Sequence, residues 1–215
     1  MGIFNKNGLT YTGAGVLIVE NYYTKKNTTV PCVLFVRIKS SGLYMDFGGS
    51  YETTHGTISN TAHSELREES RNLFNIDPKH MKTCVDIPTR NGTYYRSYLI
   101  KVDGICRKYF NFNRKLIDMR HTKGQKVPRS WRETDKIAHV PISSIDFNKL
   151  GDRGIVVVKD IDGKAITLHR RLNRVLYHAE ALIFSLLKTR SIAERKDIKI
   201  HTSNSWTNGT YSYMV

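Results

Sequence analysis

Residues 168–188 place the strongest constraint on what this chain can fold into. Their apolar side chains recur every three or four positions, which is the spacing of one face of a helix. In water, a helix with such a face owes most of its stability to packing against another layer of the protein. This part of the chain is therefore predicted to be a long amphipathic helix that covers a second layer.

Shorter apolar segments in the rest of the chain are the candidates for that layer. Residues 14–20 and 30–37 are apolar and rich in β-branched side chains, which is typical of buried strands. Residues 60–73 are good helix formers instead, and N-cap candidates precede them at positions 57–59. Further strands are predicted over residues 43–47, 84–87, 94–102, 137–141 and 155–159. This order of strands, helix, strands and helix predicts an α+β fold with helices packed on a mixed sheet.

The chain shows no division into separate parts. It contains no internal repeat and no linker rich in Pro, Gly or Ser. We therefore expect one domain over residues 1–200, followed by a polar and aromatic tail over residues 201–215.

Several features predict a cytoplasmic protein without membrane contact. No apolar run approaches the ~20 residues that cross a bilayer, and the start of the chain has no long apolar segment behind a basic one. The three cysteines show no paired spacing. This argues against a disulfide scaffold or a zinc cluster and is typical of a reducing compartment.

The charge of the chain is strongly basic. Lys and Arg number 34 against 19 Asp and Glu, which gives a net charge of +15. Such a surface attracts polyanions, namely nucleic acid, highly phosphorylated small molecules or an acidic membrane face. A surface charged for solubility alone is the alternative. The excess lies in residues 107–132 and around Arg170, Arg171 and Arg174.

Three carboxylates share one face of the helix predicted over residues 60–73. At 100° per residue, Glu65, Glu68 and Glu69 project from the same side. Their mutual repulsion destabilises the helix unless a cation neutralises it. Mg²⁺ suits such a position because it takes few carboxylates, several waters and phosphate oxygens as ligands. A solvated acidic face, partly paired with neighbouring arginines, is the alternative.

Residues 49–73 resemble the Nudix box, G-x5-E-x7-R-E-U-x-E-E-x-G-U, in which U is an apolar residue. The match is complete over residues 65–69, and the double glycine at 48 and 49 lets the backbone turn sharply beside them. Flanking segments are also similar to this family, so that the likeness covers residues 12–187. It implies a Nudix-like α/β/α sandwich, with a mixed sheet between the box helix and the C-terminal amphipathic helix.

The box departs from the family pattern at three places. The stretch before its helical glutamates is one residue longer. The loop glutamate of the motif falls at His55 or Gly56 and the helix arginine at Ser64, and losing both partners is self-consistent because losing one strands a charge. Arg71 and Asn72 replace the motif glycine and the apolar residue after it. The acidic face is intact while the loop and the helix end are remodelled.

The resemblance implies a metal centre. A Mg²⁺ or Mn²⁺ ion is expected to be held by one backbone carbonyl and three carboxylates, those of Gly48, Glu65, Glu68 and Glu69. The general base of this family varies between a box glutamate and an acid of a later loop. The catalytic candidates are therefore Glu68, Glu69 and Glu133, with Asp135 as a less favoured alternative to Glu133.

Four other side chains are candidate substrate ligands: Arg37, Glu52, Tyr95 and Arg96. Glu52 resembles the acid that often follows the glycine pair, and a simple loop charge is its alternative. Tyr95 and Arg96 belong to a Tyr-rich segment with the chemistry to stack a base and hold a phosphate. Simple packing within a sheet is the alternative for that segment.

The expected reaction is hydrolysis of a pyrophosphate bond in a nucleoside diphosphate linked to another moiety. The excess positive charge favours capped mRNA as the substrate, because the body of the RNA needs a basic track. The alternatives are ADP-ribose, dinucleotides, nucleotide sugars and inositol pyrophosphates, or a catalytically silent Nudix fold that binds RNA. The residues expected to bind nucleic acid are Lys115, Arg120, Lys123, Lys126, Arg129, Arg170, Arg171 and Arg174. The sequence leaves the oligomeric state open.

Overall fold

The computed structural model describes residues 3–24, 27–103, 107–152, 154–189 and 199–200. The tail over residues 201–215 lies outside the described residues. The strands in the described part of the chain are β1 (Phe4–Lys6), β2 (Leu9–Tyr23), β3 (Thr29–Ile38), β4 (Tyr44–Met45), β5 (Phe47–Ser50), β6 (Phe74–Asn75), β7 (Cys84–Pro88), β8 (Tyr94–Lys101), β9 (Thr134–Pro141), β10 (Val156–Lys159), β11 (Ala165–Leu168) and β12 (Lys199–Ile200). The α-helices are α1 (Ile58–Glu69), α2 (Arg107–Thr122) and α3 (Arg170–Leu187).

Ten of these strands form one mixed sheet. Its order is β10-β11-β4-β3-β2-β8-β7, with β1 and β5 paired to β2 and β9 paired to β3. The pairs β2–β8 and β4–β11 are parallel, and the other pairs are antiparallel. Strand β2 is long enough to pair with β5 through its first half and with β3 through its second half. This arrangement places the double glycine of β5 directly beside Ala14 and Gly15 of β2.

Helices cover both faces of the sheet, as the strand sequences require. Along β2, Val16 and Ile18 pack in one apolar cluster while Leu17 and Val19 pack in the other. The first cluster contains Leu66 of α1 together with Phe110 of α2, and the second contains the apolar stripe of α3. Because side chains alternate along a strand, a strand with an apolar residue at every position is buried on both faces. The predicted α+β fold and its α/β/α layers are confirmed.

Local signals set the beginnings of two helices. The hydroxyl of Thr57 accepts a hydrogen bond from the Asn60 backbone N–H at 3.1 Å, so that Thr57 is the N-cap of α1. His169 caps α3 in the same way, through its Nδ1 and the Arg171 backbone N–H at 3.1 Å. Among the helices in the described ranges, none combines the length and the apolar character that crossing a membrane requires.

Two expectations for the elements were wrong. Helix α1 ends at Glu69, before the predicted end near residue 73, because Arg71 and Asn72 adopt left-handed backbone angles, with φ of 57° and 59°. Residues 107–132 were expected only as a basic stretch, whereas most of them form α2. Its buried side chains Phe110, Asn113 and Ile117 recur with helical spacing, which the many charges between them obscured.

Candidate functional site

The double glycine of β5 and the acidic face of α1 lie against each other. The backbone N–H of Gly48 donates to Glu69 Oε2 at 2.6 Å. A side chain at Gly49 would have its Cβ 2.3 Å from Glu65 Oε1, so that only a glycine lets this carboxylate lie against the strand. The sequence prediction that the glycines and the glutamates form one site is therefore consistent with the geometry.

Burial, and next the charge of a neighbouring carboxylate, raise the pKa values of Glu65 and Glu69. Burial, and next the charge of Glu68, raise the pKa of Glu65 to about 7. Burial and the charge of Glu65 raise the pKa of Glu69 well above its usual range, while Arg171 and the Gly48 N–H act in the opposite direction. The ionised forms of Glu65 and Glu69 are therefore disfavoured, and a bound cation would stabilise them.

The donor set fits a hard divalent cation such as Mg²⁺ or Mn²⁺. The side chains of Glu65, Glu68 and Glu69 offer carboxylate oxygens, and the excess negative charge favours a doubly charged ion. As they stand in this structure, no three His, Cys, Asp or Glu side chains of the described ranges are gathered into one coordination shell. The metal-ligand roles predicted for these glutamates and for the Gly48 carbonyl therefore stay predictions.

Arg171, in the first turn of α3, also belongs to this site. Its Nη2 donates to the Gly48 carbonyl at 2.7 Å, and its Nε donates to Asp46 Oδ1 at 3.2 Å. The fully buried Asp46 also accepts from the hydroxyls of Tyr95, at 3.0 Å, and Ser97, at 3.1 Å. The binding of nucleic acid by Arg171 stays a prediction, and it requires a guanidinium group that is engaged inside the site.

Tyr95 is packed inside the fold, and its predicted role as a substrate ligand stays a prediction. It is buried, and the Arg171 guanidinium lies 4.4 Å from its ring centroid. A Cβ at either Gly15 or Gly48 would be 2.1 Å from the Tyr95 hydroxyl, so that these glycines make room for it. Tyr95 therefore packs against β2 and β5 at Gly15 and Gly48.

The two remaining candidate arginines are paired within the sheet. Arg37 binds Asp135 with both Nε, at 2.8 Å, and Nη2, at 2.5 Å. Arg96 binds both oxygens of Asp86 at 2.7 Å. The Arg37 guanidinium holds the pKa of Asp135 below its usual range, which makes Asp135 a poor proton acceptor. A substrate-binding role for Arg37 or Arg96 stays a prediction and requires that an ion pair be broken.

Glu52 and Glu133 are exposed carboxylates on the same side as the acidic helix. The charges of both contribute to the raised pKa of Glu65, after burial and the charge of Glu68. The Glu133 carboxylate lies 3.7 Å from the Arg129 guanidinium, and its side chain is 49% exposed. Its backbone carbonyl accepts from the Lys39 N–H at 2.7 Å, which fixes the segment beside the site. The predicted roles of Glu133 as the general base and of Glu52 as a substrate ligand stay untested.

The altered end of the box has a structural explanation. Arg71 stands in the left-handed conformation where the motif has glycine, and it is almost fully buried. Its Nη2 donates to the Thr134 carbonyl, and its own carbonyl accepts from the Asn113 amide at 3.0 Å. Burial lowers the pKa of Arg71 to about 10. The side chain thus ties the end of α1 to the start of β9.

The basic surface is divided between two regions. Lys115, Lys123 and Lys126 are exposed on α2 or just after it, and Arg129 is 91% exposed. Arg170 and Arg174 instead share Asp152, at 3.2 and 3.3 Å. The predicted binding of nucleic acid by these residues and by Arg120 stays a prediction.

Comparisons with known proteins give a likeness in structure and none in sequence. No family model matches the sequence. No curated protein matches it either. RenU, a Nudix hydrolase from M. smegmatis, is 12% identical with a TM-score of 0.45, and the match covers 88% of this chain and 97% of RenU.

Two further solved structures are similar at the same low level. A MutT/nudix family protein from Enterococcus faecalis is 14% identical with a TM-score of 0.41, over 85% of this chain and 62% of that protein. An Ap4A hydrolase of C. elegans, in a binary complex, is 14% identical with a TM-score of 0.32, over 44% and 67%. RenU is described as a Nudix hydrolase and the E. faecalis protein as a member of the MutT/nudix family.

Proposed function

We propose that this protein is a metal-dependent Nudix hydrolase that cleaves a pyrophosphate bond in a nucleoside diphosphate-linked substrate. The observation that carries the proposal is the packing of Glu65 and Glu69 against the double glycine of β5. Burial holds these carboxylates close together at the expense of raised pKa values. A protein gains nothing in stability from such crowding, whereas a divalent cation and a phosphate substrate would use it.

The residues of the site divide the work between them. Glu65, Glu68 and Glu69 would hold Mg²⁺ or Mn²⁺, which supplies neutralising charge for the phosphate oxygens and a more acidic water when bound. The N–H of Gly48 orients Glu69, and Arg171 orients the Gly48 carbonyl. The exposed Glu133 carboxylate would accept the proton of an attacking water.

We propose capped RNA as the substrate. The support is the net charge of +15 together with the exposed cations on and after α2, which continue from Glu133 through Arg129. A small nucleotide needs few cations, whereas an RNA body carries one phosphate charge for each nucleotide and binds better to a continuous basic surface. Small substrates such as ADP-ribose or inositol pyrophosphates use the same acidic site but leave this surface without a role.

The test is hydrolysis of cap-labelled RNA with Mg²⁺ or Mn²⁺, alongside ADP-ribose, dinucleotides, NADH and inositol pyrophosphate. We expect release of m7GDP that EDTA abolishes and that Glu69→Gln reduces by at least a thousandfold. Glu180→Gln is the matched control, because Glu180 is an exposed carboxylate on α3 away from the site. Turnover of a small compound alone would retain the hydrolase and reject decapping.

A catalytically silent fold that binds RNA is the second candidate. The observation that favours it is the Arg171 guanidinium, which already occupies the carbonyl expected to bind metal. In that case no substrate is turned over, and Glu69→Gln binds RNA with unchanged affinity. Salt-sensitive RNA binding without turnover of any compound in the panel would establish this reading.

A further inference from the structure

Two hollows lie on either side of the segment that leads into Glu133. The larger has a volume of about 610 Å³ and is lined by Lys39, Arg129 and Arg132, together with Asp118 and Glu133. Thr134, the residue after Glu133, donates its hydroxyl to the Glu69 carbonyl at 2.7 Å, so that this hollow borders the end of the acidic helix. The smaller, of about 250 Å³, is lined by residues that include Arg120, Lys126 and Trp131.

The side chains of one short turn line both hollows. Ser130–Arg132 form a 3-10 turn, closed by the Arg132 N–H on the Arg129 carbonyl at 2.8 Å. Arg132 faces the larger hollow, Trp131 faces the smaller one, and the next residue is Glu133. One turn of the backbone therefore sets the relative positions of a cation, an aromatic ring and the candidate base.

The turn is anchored on three sides. Arg132 Nη1 lies 2.9 Å from Nε2 of His121 on α2. The Glu133 carbonyl accepts from Lys39 at the end of β3 at 2.7 Å, and the Thr134 hydroxyl donates to the Glu69 carbonyl at 2.7 Å. The backbone that carries Trp131 is thus tied to α1, to α2 and to the segment after β3.

The charge of the two hollows favours a polyanion. Five cations line them, and the acids among the lining residues are Asp118 and Glu133. The Nε of Arg132 is buried without a hydrogen-bond partner in the described part of the chain. The smaller hollow has no acid among its lining residues, and its one aromatic ring shares the lining with Arg120 and Lys126. Trp131 is half-buried, and cations beside a solvent-accessible aromatic ring are the combination that binds single-stranded nucleic acid.

We propose that the two hollows form a track for the single-stranded polynucleotide body of the substrate. Arg129 and Arg132 bind the phosphates nearest the scissile bridge, and Trp131 stacks one of the following bases between Arg120 and Lys126. The inference rests on the proposed function, because it places the start of the track at Glu133. It adds a base-stacking site that the charge pattern of the sequence did not indicate.

Trp131 itself reports on the track. The chain has two tryptophans, Trp131 and Trp206, so that Trp206→Phe leaves Trp131 as the sole indole fluorophore. In EDTA, where no metal-dependent cleavage occurs, we expect a single-stranded RNA 12-mer to quench this fluorescence saturably. Inositol hexakisphosphate should compete weakly and quench little, because it has charge but no base. Equal quenching by this compound would overturn base stacking.

Substitutions separate stacking from charge. With a fluorescein-labelled RNA 12-mer, Trp131→Ala should weaken binding about tenfold or more, whereas Trp131→Phe should keep it within about threefold, because any aromatic face can stack. Lys126→Ala with Arg129→Ala should weaken binding to a similar extent and lower its salt dependence. Lys159→Ala, an exposed lysine on the edge strand β10, is the matched control. Trp131→Ala with wild-type affinity and an unchanged thermal midpoint would overturn the track.

The outcome is independent of the hydrolase test. Turnover of capped RNA with no effect of Trp131→Ala on binding or on KM would reject the track and keep the enzyme. RNA quenching of Trp131 without any hydrolysis would keep the binding site and reject the proposed reaction. Loss of RNA affinity in Trp131→Ala, with unchanged hydrolysis of a short cap dinucleotide, is the expected result.

Discussion

The guanidinium group of Arg171 joins the Asp46 carboxylate to the Gly48 carbonyl. Without it, both oxygen acceptors would lack this donor. It neutralises the buried Asp46 and satisfies the carbonyl of Gly48, while the Tyr95 ring lies beneath it. Removal of Arg171 leaves a buried carboxylate without its countercharge, and such a loss destabilises far more than the loss of an exposed ion pair. Its role is therefore to position the glycine strand.

We expect Arg171→Met to lower the free energy of unfolding by about 3 kcal/mol. Arg170→Met, one residue away, removes only an exposed contact with Asp152 and should change it by about 0.5 kcal/mol or less. Urea unfolding at pH 7 compares the two variants. Equal stability of both would show that Asp46 does not depend on Arg171.

The raised pKa of Glu65 predicts how stability depends on pH. Its folded pKa of about 7 lies above the usual 4.5, so that the folded protein binds more protons than the unfolded chain between those values. The free energy of unfolding contributed by this group is therefore largest below about pH 4.5 and falls as the pH rises towards 7. We expect a loss of about 2 kcal/mol across this window, allowing for partial exposure of the side chain.

Glu65→Gln isolates this contribution, because other groups titrate in the same range. The variant should lose less stability than the wild type between pH 5 and pH 8 in urea unfolding. Mg²⁺ at millimolar concentration should stabilise the wild type more at pH 8 than at pH 5, since protons and the cation compete for the same carboxylates. An identical pH dependence in both proteins would contradict the crowded site.

The contrast between the glutamates and Arg171 shows which residues a sequence can reveal. Glu65, Glu68 and Glu69 follow from helical spacing alone, because neighbours on one face are set by local geometry. Arg171 meets Gly48 across 123 positions of the chain. No local period encodes such a contact, and the same is true of the support that Ser97 gives to Asp46.

At the scale of elements, the close approach of α1, β2 and β5 depends on glycines with different neighbours. A Cβ at Gly48 would meet backbone, namely Gly15 Cα at 2.5 Å and the Ala14 carbonyl oxygen at 2.7 Å. The three atoms nearest to a Cβ at Gly49 all belong to the Glu65 carboxylate, beginning at 2.3 Å. Backbone cannot move aside within a paired sheet, whereas a carboxylate can rotate away.

We therefore expect opposite results for two similar substitutions. Gly48→Ala should cost about 3 kcal/mol of stability. Gly49→Ala should cost about 1 kcal/mol or less, but should weaken Mn²⁺ binding about tenfold because Glu65 is displaced. Urea unfolding and Mn²⁺ titration by electron paramagnetic resonance measure the two effects. Unchanged Mn²⁺ affinity in Gly49→Ala would remove Glu65 from the metal site.

The predicted elements succeeded where one pattern dominated the segment. The stripe of α3 and the apolar runs of β2 and β3 are long enough to outweigh individual exceptions. Helix α2 was missed because its basic residues conceal a buried face. The early end of α1 depends on the left-handed backbone of Arg71, which an arginine adopts only when its surroundings fix it.

At the scale of the whole molecule, the sequence predicts the sign of the charge but not its arrangement. Of the three arginines near the start of α3, one is engaged in the site and two share Asp152. The cations on and after α2 are the ones left facing solvent beside Glu133. If they bind the body of a long substrate, salt must affect long and short substrates differently.

We expect the kcat/KM for capped RNA to fall steeply with KCl, while that for a cap dinucleotide changes little. About five phosphate contacts on single-stranded RNA give a slope of about −3.5 in a plot of log affinity against log salt, or roughly a hundredfold loss between 50 and 200 mM. The loss should be smaller in Lys126→Ala/Arg129→Ala, since fewer counterions are released on binding. A parallel fall for both substrates would mean that salt acts on the acidic site itself, and that the basic surface does not bind the RNA body during turnover.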